Sequence, residues 1–178
     1  EHLSVLTALG AQAVPVKRAE ELHHIDGLVI PGGESSVMDK LTRMFGLAEP
    51  LKAAIASGVP IYGTCAGLIM LADTVLDAID GQQSLGGLHV SVRRNAFGSQ
   101  LDSFETDLDV PELGAPPVHA VFIRAPVVEE FDAGVTVLAR TPDGRVVAVE
   151  QGPLLGTSFH PEMTGQTPFP DRFLPTVR

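Results

Sequence analysis

The sequence predicts an α/β fold: a three-layer sandwich with a mostly parallel central sheet between helices, extended by antiparallel strands. Three observations carry this reading. In the first half, short apolar runs without alternation, at 27–31 and 59–62, each lead through a glycine-containing turn into a helical pattern, as buried parallel strands do. In the second half, apolar and polar residues alternate, the mark of half-exposed strands. The chain has 178 residues, 44% of them hydrophobic and 19% charged, which suits one folded domain with a sizeable core. No repeat, low-complexity tract or long linker divides residues 1–178.

The elements follow in order. Residues 1–9 read as a helix with Leu3, Leu6 and Leu9 on one face and Gly10 as its stop. Val14-Pro15-Val16 is a short extended piece, and residues 19–24 form a turn or short helix. The strand at 27–31 enters the turn Gly32-Gly33-Glu34-Ser35-Ser36. Ser36 with Asp39 makes a capping box for the next helix. Val37, Leu41, Met44 and Phe45 give that helix an apolar face, and Gly46 ends it. Residues 47–57 form another helix, with Leu51, Ala54 and Ile55 inward.

The strand at 59–62 leads to Cys65, and residues 66–72 begin a helix. Residues 73–87 are polar and contain glycine, a surface segment. Leu88, Val90 and Val92 then alternate with His89, Ser91 and Arg93, and Phe104, Thr106, Leu108 and Val110 alternate likewise. Further strands fall at 118–123, 135–139 and 146–149, with Asp143-Gly144 as the hairpin turn between the last two. A final strand at 154–159 runs into His160-Pro161-Glu162. Thr167-Pro168-Phe169-Pro170 interrupts the end of the chain, so a regular helix is expected only from about Asp171.

The net charge of −10 argues against a nucleic-acid or anionic-membrane surface. No apolar run approaches the ~20 residues that span a bilayer, and the opening residues show no secretory signal pattern. Cys65 is the only cysteine, so it has no partner for an intrachain disulfide. That fits a reducing compartment, with the cytoplasm as the expected location.

Three short motifs carry chemistry. Gly63-Thr64-Cys65-Ala66-Gly67 places the cysteine on the sharp turn from a strand to a helix, the geometry of a nucleophile elbow with sulfur in place of oxygen. Taken alone, it fits equally a small buried apolar cysteine. His160-Pro161-Glu162 supplies a base at a strand end and, two residues on, an acid able to turn back onto the ring. Taken alone, it fits a strand-end histidine and a solvated acid better. Pro31-Gly32-Gly33-Glu34-Ser35-Ser36 offers a backbone N–H at Gly33 for a developing oxyanion, with the N–H of Ala66 as the second donor. Taken alone, it fits an ordinary strand-to-helix turn. The cysteine and histidine signals together, both at predicted strand ends, favour a thiol nucleophile with its base.

With these motifs the chain resembles the class I, triad-type glutamine amidotransferases. More narrowly, Arg94-Asn95-Ala96-Phe97-Gly98-Ser99-Gln100, Asp102-Ser103-Phe104-Glu105, Val121-Phe122-Ile123-Arg124-Ala125-Pro126 and Thr157-Ser158-Phe159-His160-Pro161-Glu162 resemble the glutaminase subunit of pyridoxal 5′-phosphate synthase. The likeness runs from Glu1 to about Thr164 and implies a flavodoxin-like, amidotransferase-type sheet. It implies that Cys65 attacks the side-chain carboxamide of L-glutamine, that His160 is the base and then protonates ammonia, and that Glu162 orients His160. It further implies glutamine contacts at Gly33, Glu34, Ser35, Arg94, Ile123 and Arg124. The arginines suit the substrate's α-carboxylate. Ammonia then passes to the synthase (lyase) subunit within a large hetero-oligomer, and the glutaminase itself needs no cofactor.

The family opens with a strand and a glutamine-containing turn ahead of the helix that begins this chain, so that strand is expected to be absent. Ser99 stands where many members carry arginine, at the partner-facing surface. Low basal activity that rises on complex formation is expected from the flexible Gly32-Gly33 peptide. His23-His24 reads as solvated, and His89 and His119 lack Cys or acidic partners at ligand spacing, so no metal is expected. Three other readings stay open. They are an amidotransferase of another pathway, a catalytically silent scaffold or regulatory subunit, and an elbow-cysteine protein of protease or chaperone type.

Overall fold

A computed structural model describes residues 1–98, 103–114 and 116–177. Ser99 and Gln100 lie outside the described residues. Among those described, the opening elements are α1 (His2–Ala8), a 3-10 turn (Ala19–His24), β1 (Leu28–Ile30), α2 (Ser35–Met44), α3 (Ala48–Ala56), β2 (Ile61–Thr64), α4 (Ala66–Leu71) and β3 (Ala72–Leu76). Strands β4 (Leu88–Arg93), β5 (Phe104–Leu108), β6 (Val118–Phe122), β7 (Val127–Phe131), β8 (Thr136–Arg140), β9 (Val146–Gln151) and β10 (Leu154–Thr157) follow. The chain then runs into α5 (Pro161–Thr164) and α6 (Pro168–Phe173).

The central sheet has the order β1-β2-β10-β9-β7-β4-β3, with β8 added on β9. Strands β1, β2 and β10 are parallel neighbours, and antiparallel pairing begins at β9. Strand alternation splits the core between the two faces of the sheet. Ile61 and Leu154 join Leu68, Ile69 and Leu71 of α4 on one face, while Tyr62 and Leu155 join Phe169 and Phe173 of α6 on the other. The second face also carries the β5–β6 ribbon, through Leu108, Val118 and Phe122. Phe122, Phe159 and Phe169 meet edge to face, with centroids 5.6 and 5.3 Å apart, a favoured aromatic geometry. These are the three layers that the sequence predicts.

Several expectations are corrected. The residues expected as the inner face of α2 lie outside: Val37 is 50% exposed, Leu41 45%, Met44 68% and Phe45 70%. Ser35 and Asp39 are buried in their place. Asp39 fixes the rotation of the helix by accepting from Arg43 Nη2 at 2.8 Å and from the Gln83 N–H at 2.9 Å. Burial would raise its carboxyl pKa, but these donors hold it below the usual carboxylate range. The capping box is replaced by Glu34, which caps α2 by accepting from the Ser36 N–H. In α1, Leu3 is 44% exposed, and His2, Val5, Leu6 and Leu9 turn inward. Val14-Pro15-Val16 joins no strand.

The segment at 73–87 is not wholly surface loop, because β3 pairs in parallel with β4. Strand β7, not expected at all, links β4 to β9. Helix α6 begins at Pro168, ahead of the expected Asp171. Both prolines sit in its first turn, where the N–H groups they lack have no helical acceptor. His119 does have acidic partners, Asp107 at 2.8 Å and Glu105 at 2.9 Å. Antiparallel register sets Asp107 directly opposite, a neighbour that spacing along one strand does not reveal. The expected turn at Asp143-Gly144 is present, closed by Gly144 N–H to Thr141 C=O at 2.8 Å.

The elbow packs too tightly for side chains on its glycines. A Cβ on Gly67 would lie 2.0 Å from the Ile30 carbonyl oxygen, and one on Gly63 would lie 2.5 Å from the Gly67 carbonyl. Gly67→Ala is therefore expected to destabilise the fold by about 3 kcal/mol through overpacking. Equilibrium chemical denaturation measures this, and an unchanged midpoint would refute the close approach of α4 to β1.

Candidate active site

Parallel pairing brings the motifs together. Thr64 at the end of β2 lies opposite Thr157 at the end of β10, and the Cys65 N–H donates to the Thr157 carbonyl at 2.7 Å. Cys65 is one residue beyond its strand and His160 three beyond its own, so both emerge at the same sheet edge. Ile30 pairs with Gly63 on the other side, which delivers the Gly32-Gly33 turn to that edge. A Cβ on Gly32 would come within 2.5 Å of the His160 ring and 3.5 Å of Cys65 Cβ. Only glycine fits between nucleophile turn and base.

Cys65 adopts φ 50° and ψ −105°, the strained conformation of an elbow. Four non-glycine residues have positive φ among those described: Cys65, Asp77, Asn95 and Arg124. All but Asp77 line one cavity of about 200 Å³. Its other walls are Gly33, Glu34, Ser35, Ile69, Arg94, Ile123 and His160. This volume is below the roughly 300–1,000 Å³ of pockets for drug-sized ligands and suits a smaller molecule.

Behind the cavity, the His160 Nδ1–H donates to Glu162 Oε1 at 2.9 Å. A carboxylate accepts only, so the proton on Nδ1 is fixed and Nε2 remains for the sulfur. Cys65 and His160 line the same cavity. Cys65 first and Glu162 second raise the imidazole pKa, against the effect of burial, to about 10. Burial would raise the Glu162 pKa, but hydrogen bonds from His160 and then His2 outweigh it and lower the carboxyl to about 2.

The sequence-predicted residues thus converge, with two qualifications. Glu162 does not touch the cavity and stands behind His160; Ala66 opens α4, is 1% exposed and is absent from the cavity wall. Arg94 is already engaged. It donates to Glu34 Oε1 at 2.8 Å and Gln82 Oε1 at 2.9 Å, while the Gln82 amide donates to Ser35 Oγ at 3.0 Å. Sequence reasoning missed Gln82, which lies in the segment read as surface. It also missed Asn95 and Ile69 as lining residues. Asn95 stood inside a quoted motif, but nothing signalled its positive φ. No group of three or more metal-ligating side chains occurs among the described residues.

A family model described as the SNO glutamine amidotransferase family matches residues 1–177. The chain belongs to this family. Among its relatives is a "Pyridoxal 5'-phosphate synthase subunit PdxT" of Leifsonia xyli, 69% identical over 177 residues, covering 99% of this chain and 89% of that one. The protein of the same name from Clavibacter sepedonicus is 65% identical, covering 99% and 85%. A solved glutamine amidotransferase superposes with a TM-score of 0.90 at 41% identity, covering 99% of this chain and 92% of the other. A putative GMP synthase component from Thermoplasma acidophilum, at 21% identity and a TM-score of 0.68, covers 99% of this chain and 86% of its own and shares the fold.

Glu162→Gln removes the second of the two groups, after Cys65, that support the imidazolium. The His160 pKa is expected to fall from about 10 toward its ordinary 6.5, measured by NMR titration of the ring. The depressed Glu162 carboxyl stabilises the fold above its ordinary pKa of 4.5, and this contribution is lost as pH falls toward about 2. Acid unfolding of Glu162→Gln is expected to lack that component.

Proposed function

We propose that this chain is a glutaminase that hydrolyses L-glutamine to L-glutamate and ammonia, the ammonia passing to a synthase subunit that builds pyridoxal 5′-phosphate. One observation carries the reading: an elbow cysteine and a carboxylate-held histidine share a small cavity with two arginines and a glutamate. In the reaction, Cys65 Sγ, its proton held by His160 Nε2, bonds to the carboxamide carbon. The tetrahedral oxyanion is met by the N–H groups of Gly33 and Ala66. His160 returns the proton to the departing nitrogen, releasing ammonia and leaving a thioester on Cys65. Water, deprotonated by His160, then attacks the thioester to give glutamate and regenerate the thiol.

At the other end of the cavity, Arg94 and Arg124 suit the substrate α-carboxylate, and the Glu34 carboxylate suits its α-ammonium. Ser35 and Ile123 complete the walls around the substrate chain. None of these steps calls for a cofactor. Named subunits of pyridoxal 5′-phosphate synthase among the relatives support a synthase partner in a hetero-oligomer. So does the exposed apolar stripe of α2, a helix that starts at the cavity wall and carries the kind of surface that partners cover. No helix among the described residues is long and apolar enough to cross a membrane. A reducing cytoplasm would keep Cys65 available as the nucleophile.

Ammonia release from L-glutamine, with and without the synthase subunit, tests the reading. Turnover is expected to be low alone and higher in the complex. Absence of turnover in both would favour a silent scaffold. Cys65→Ala is expected to lower kcat by on the order of 10³-fold or more. Arg94→Ala is expected to raise KM about tenfold, with a smaller effect on kcat.

A further inference from the structure

A second histidine stands beside Glu162. His2, on α1, places its Nε2 3.4 Å from Glu162 Oε1 and 3.2 Å from Thr64 Oγ1. The side chains of His2 and Glu162 are only 18% and 7% exposed, and Thr64 is fully buried. The same carboxylate oxygen therefore stands between two imidazoles, His160 at 2.9 Å and His2. A lone pair on His2 Nε2 would repel that carboxylate at this distance, so Nε2 carries the hydrogen and shares it between Glu162 and Thr64.

We propose that His2 is a positioning residue of the proton relay, extending Cys65–His160–Glu162 to a fourth side chain that holds the Glu162 carboxylate in place. Glu162 reaches His160 from only two residues away, through the short helix α5, and such a carboxylate has rotamers that turn it from the ring. The hydrogen from His2 fixes one oxygen where His160 needs it. Thr64 belongs to the strand that ends at Cys65, so the His2 side chain ties α1 to both arms of the relay. Sequence position gives no sign of this, because His2 and Glu162 lie at opposite ends of the chain.

The titratable groups facing Glu162 are His160 from its own loop, His2 from α1 and Tyr62 from β2; Cys65 lies beyond His160. Tyr62 stays neutral, since burial and then the charge of Glu162 raise its pKa, and its hydroxyl pairs with Thr157 Oγ1. Loss of the His2 donor weakens support for the carboxylate. The Glu162 pKa then rises from about 2 toward 4.5, and the acid limb of activity moves toward neutral pH.

The inference rests on the glutaminase reading for its kinetic test, and on Cys65 reactivity for a test independent of it. In the complete chain assembled with the synthase subunit, His2→Ala is expected to lower kcat on the order of tenfold with KM unchanged. Its acid limb should shift upward in pH. His2→Gln, whose amide N–H reaches about as far as Nε2–H, should restore both. The rate of Cys65 alkylation by iodoacetamide against pH, read by mass spectrometry on the isolated chain, should show the same shift and rescue without any substrate. Parental kcat and an unshifted alkylation profile in His2→Ala would overturn the proposal. So would a loss in His2→Ala that His2→Gln does not restore while both variants keep the parental melting temperature. If the parent chain releases no ammonia, the glutaminase reading fails, and the alkylation profile still decides the role of His2.

Discussion

The parallel pairing of β2 with β10 is the constraint on which the site depends. Thr64 and Thr157 lie side by side in register, and the Cys65 amide donates to the last carbonyl of the neighbouring strand. Everything chemical is counted from that register. A slip of one residue would turn Cys65 or His160 to the opposite face of the sheet. The register is held by the alternation of Ile61 and Tyr62, and of Leu154 and Leu155, between two separate cores. Hydrophobic burial on both faces thus fixes where one proton can move.

Close packing sets what can sit beside the nucleophile. Gly63 and Gly67 let the elbow fold against itself and against β1, and Gly32 lets the neighbouring turn approach the imidazole. The strain of positive φ at Cys65, Asn95 and Arg124 is concentrated around the cavity. Such conformations cost on the order of 1–3 kcal/mol each and persist only where the surrounding structure imposes them. Here the imposing structure is the sheet edge and the hydrogen-bonded wall of Glu34, Arg94, Gln82 and Ser35.

Electrostatics then arranges the proton. A largely buried carboxylate would normally resist ionisation, yet Glu162 is ionised because imidazole N–H groups face it. Its charge, with Cys65, keeps His160 ready to hold a proton at neutral pH. Asp39 and Arg43 play a different part: Asp39 accepts from the Gln83 N–H and Arg43 donates to the Gly81 carbonyl, which turns α2 so that a polar side meets the body and an apolar stripe meets the outside. The helix pattern is real, but a charged anchor decided which face was inner. This is why the period of α2 could be read correctly and its orientation could not.

The strand–helix alternation from β1 to α4, the glycine elbow, the cysteine and the His-Pro-Glu step were legible in the sequence because each is a local pattern. Turn chemistry, period and neighbouring residues specify them. What the sequence did not disclose depends on partners distant along the chain. Asp107 opposite His119, Gln82 bridging Arg94 to Ser35, strand β7 between β4 and β9, and His2 against Glu162 all arise from register and packing. Residue types alone determined the chemistry available to this protein. Only the tertiary structure decided which groups lie within about 3 Å of one another, because hydrogen bonds act over that distance and spacing along the sequence does not measure it.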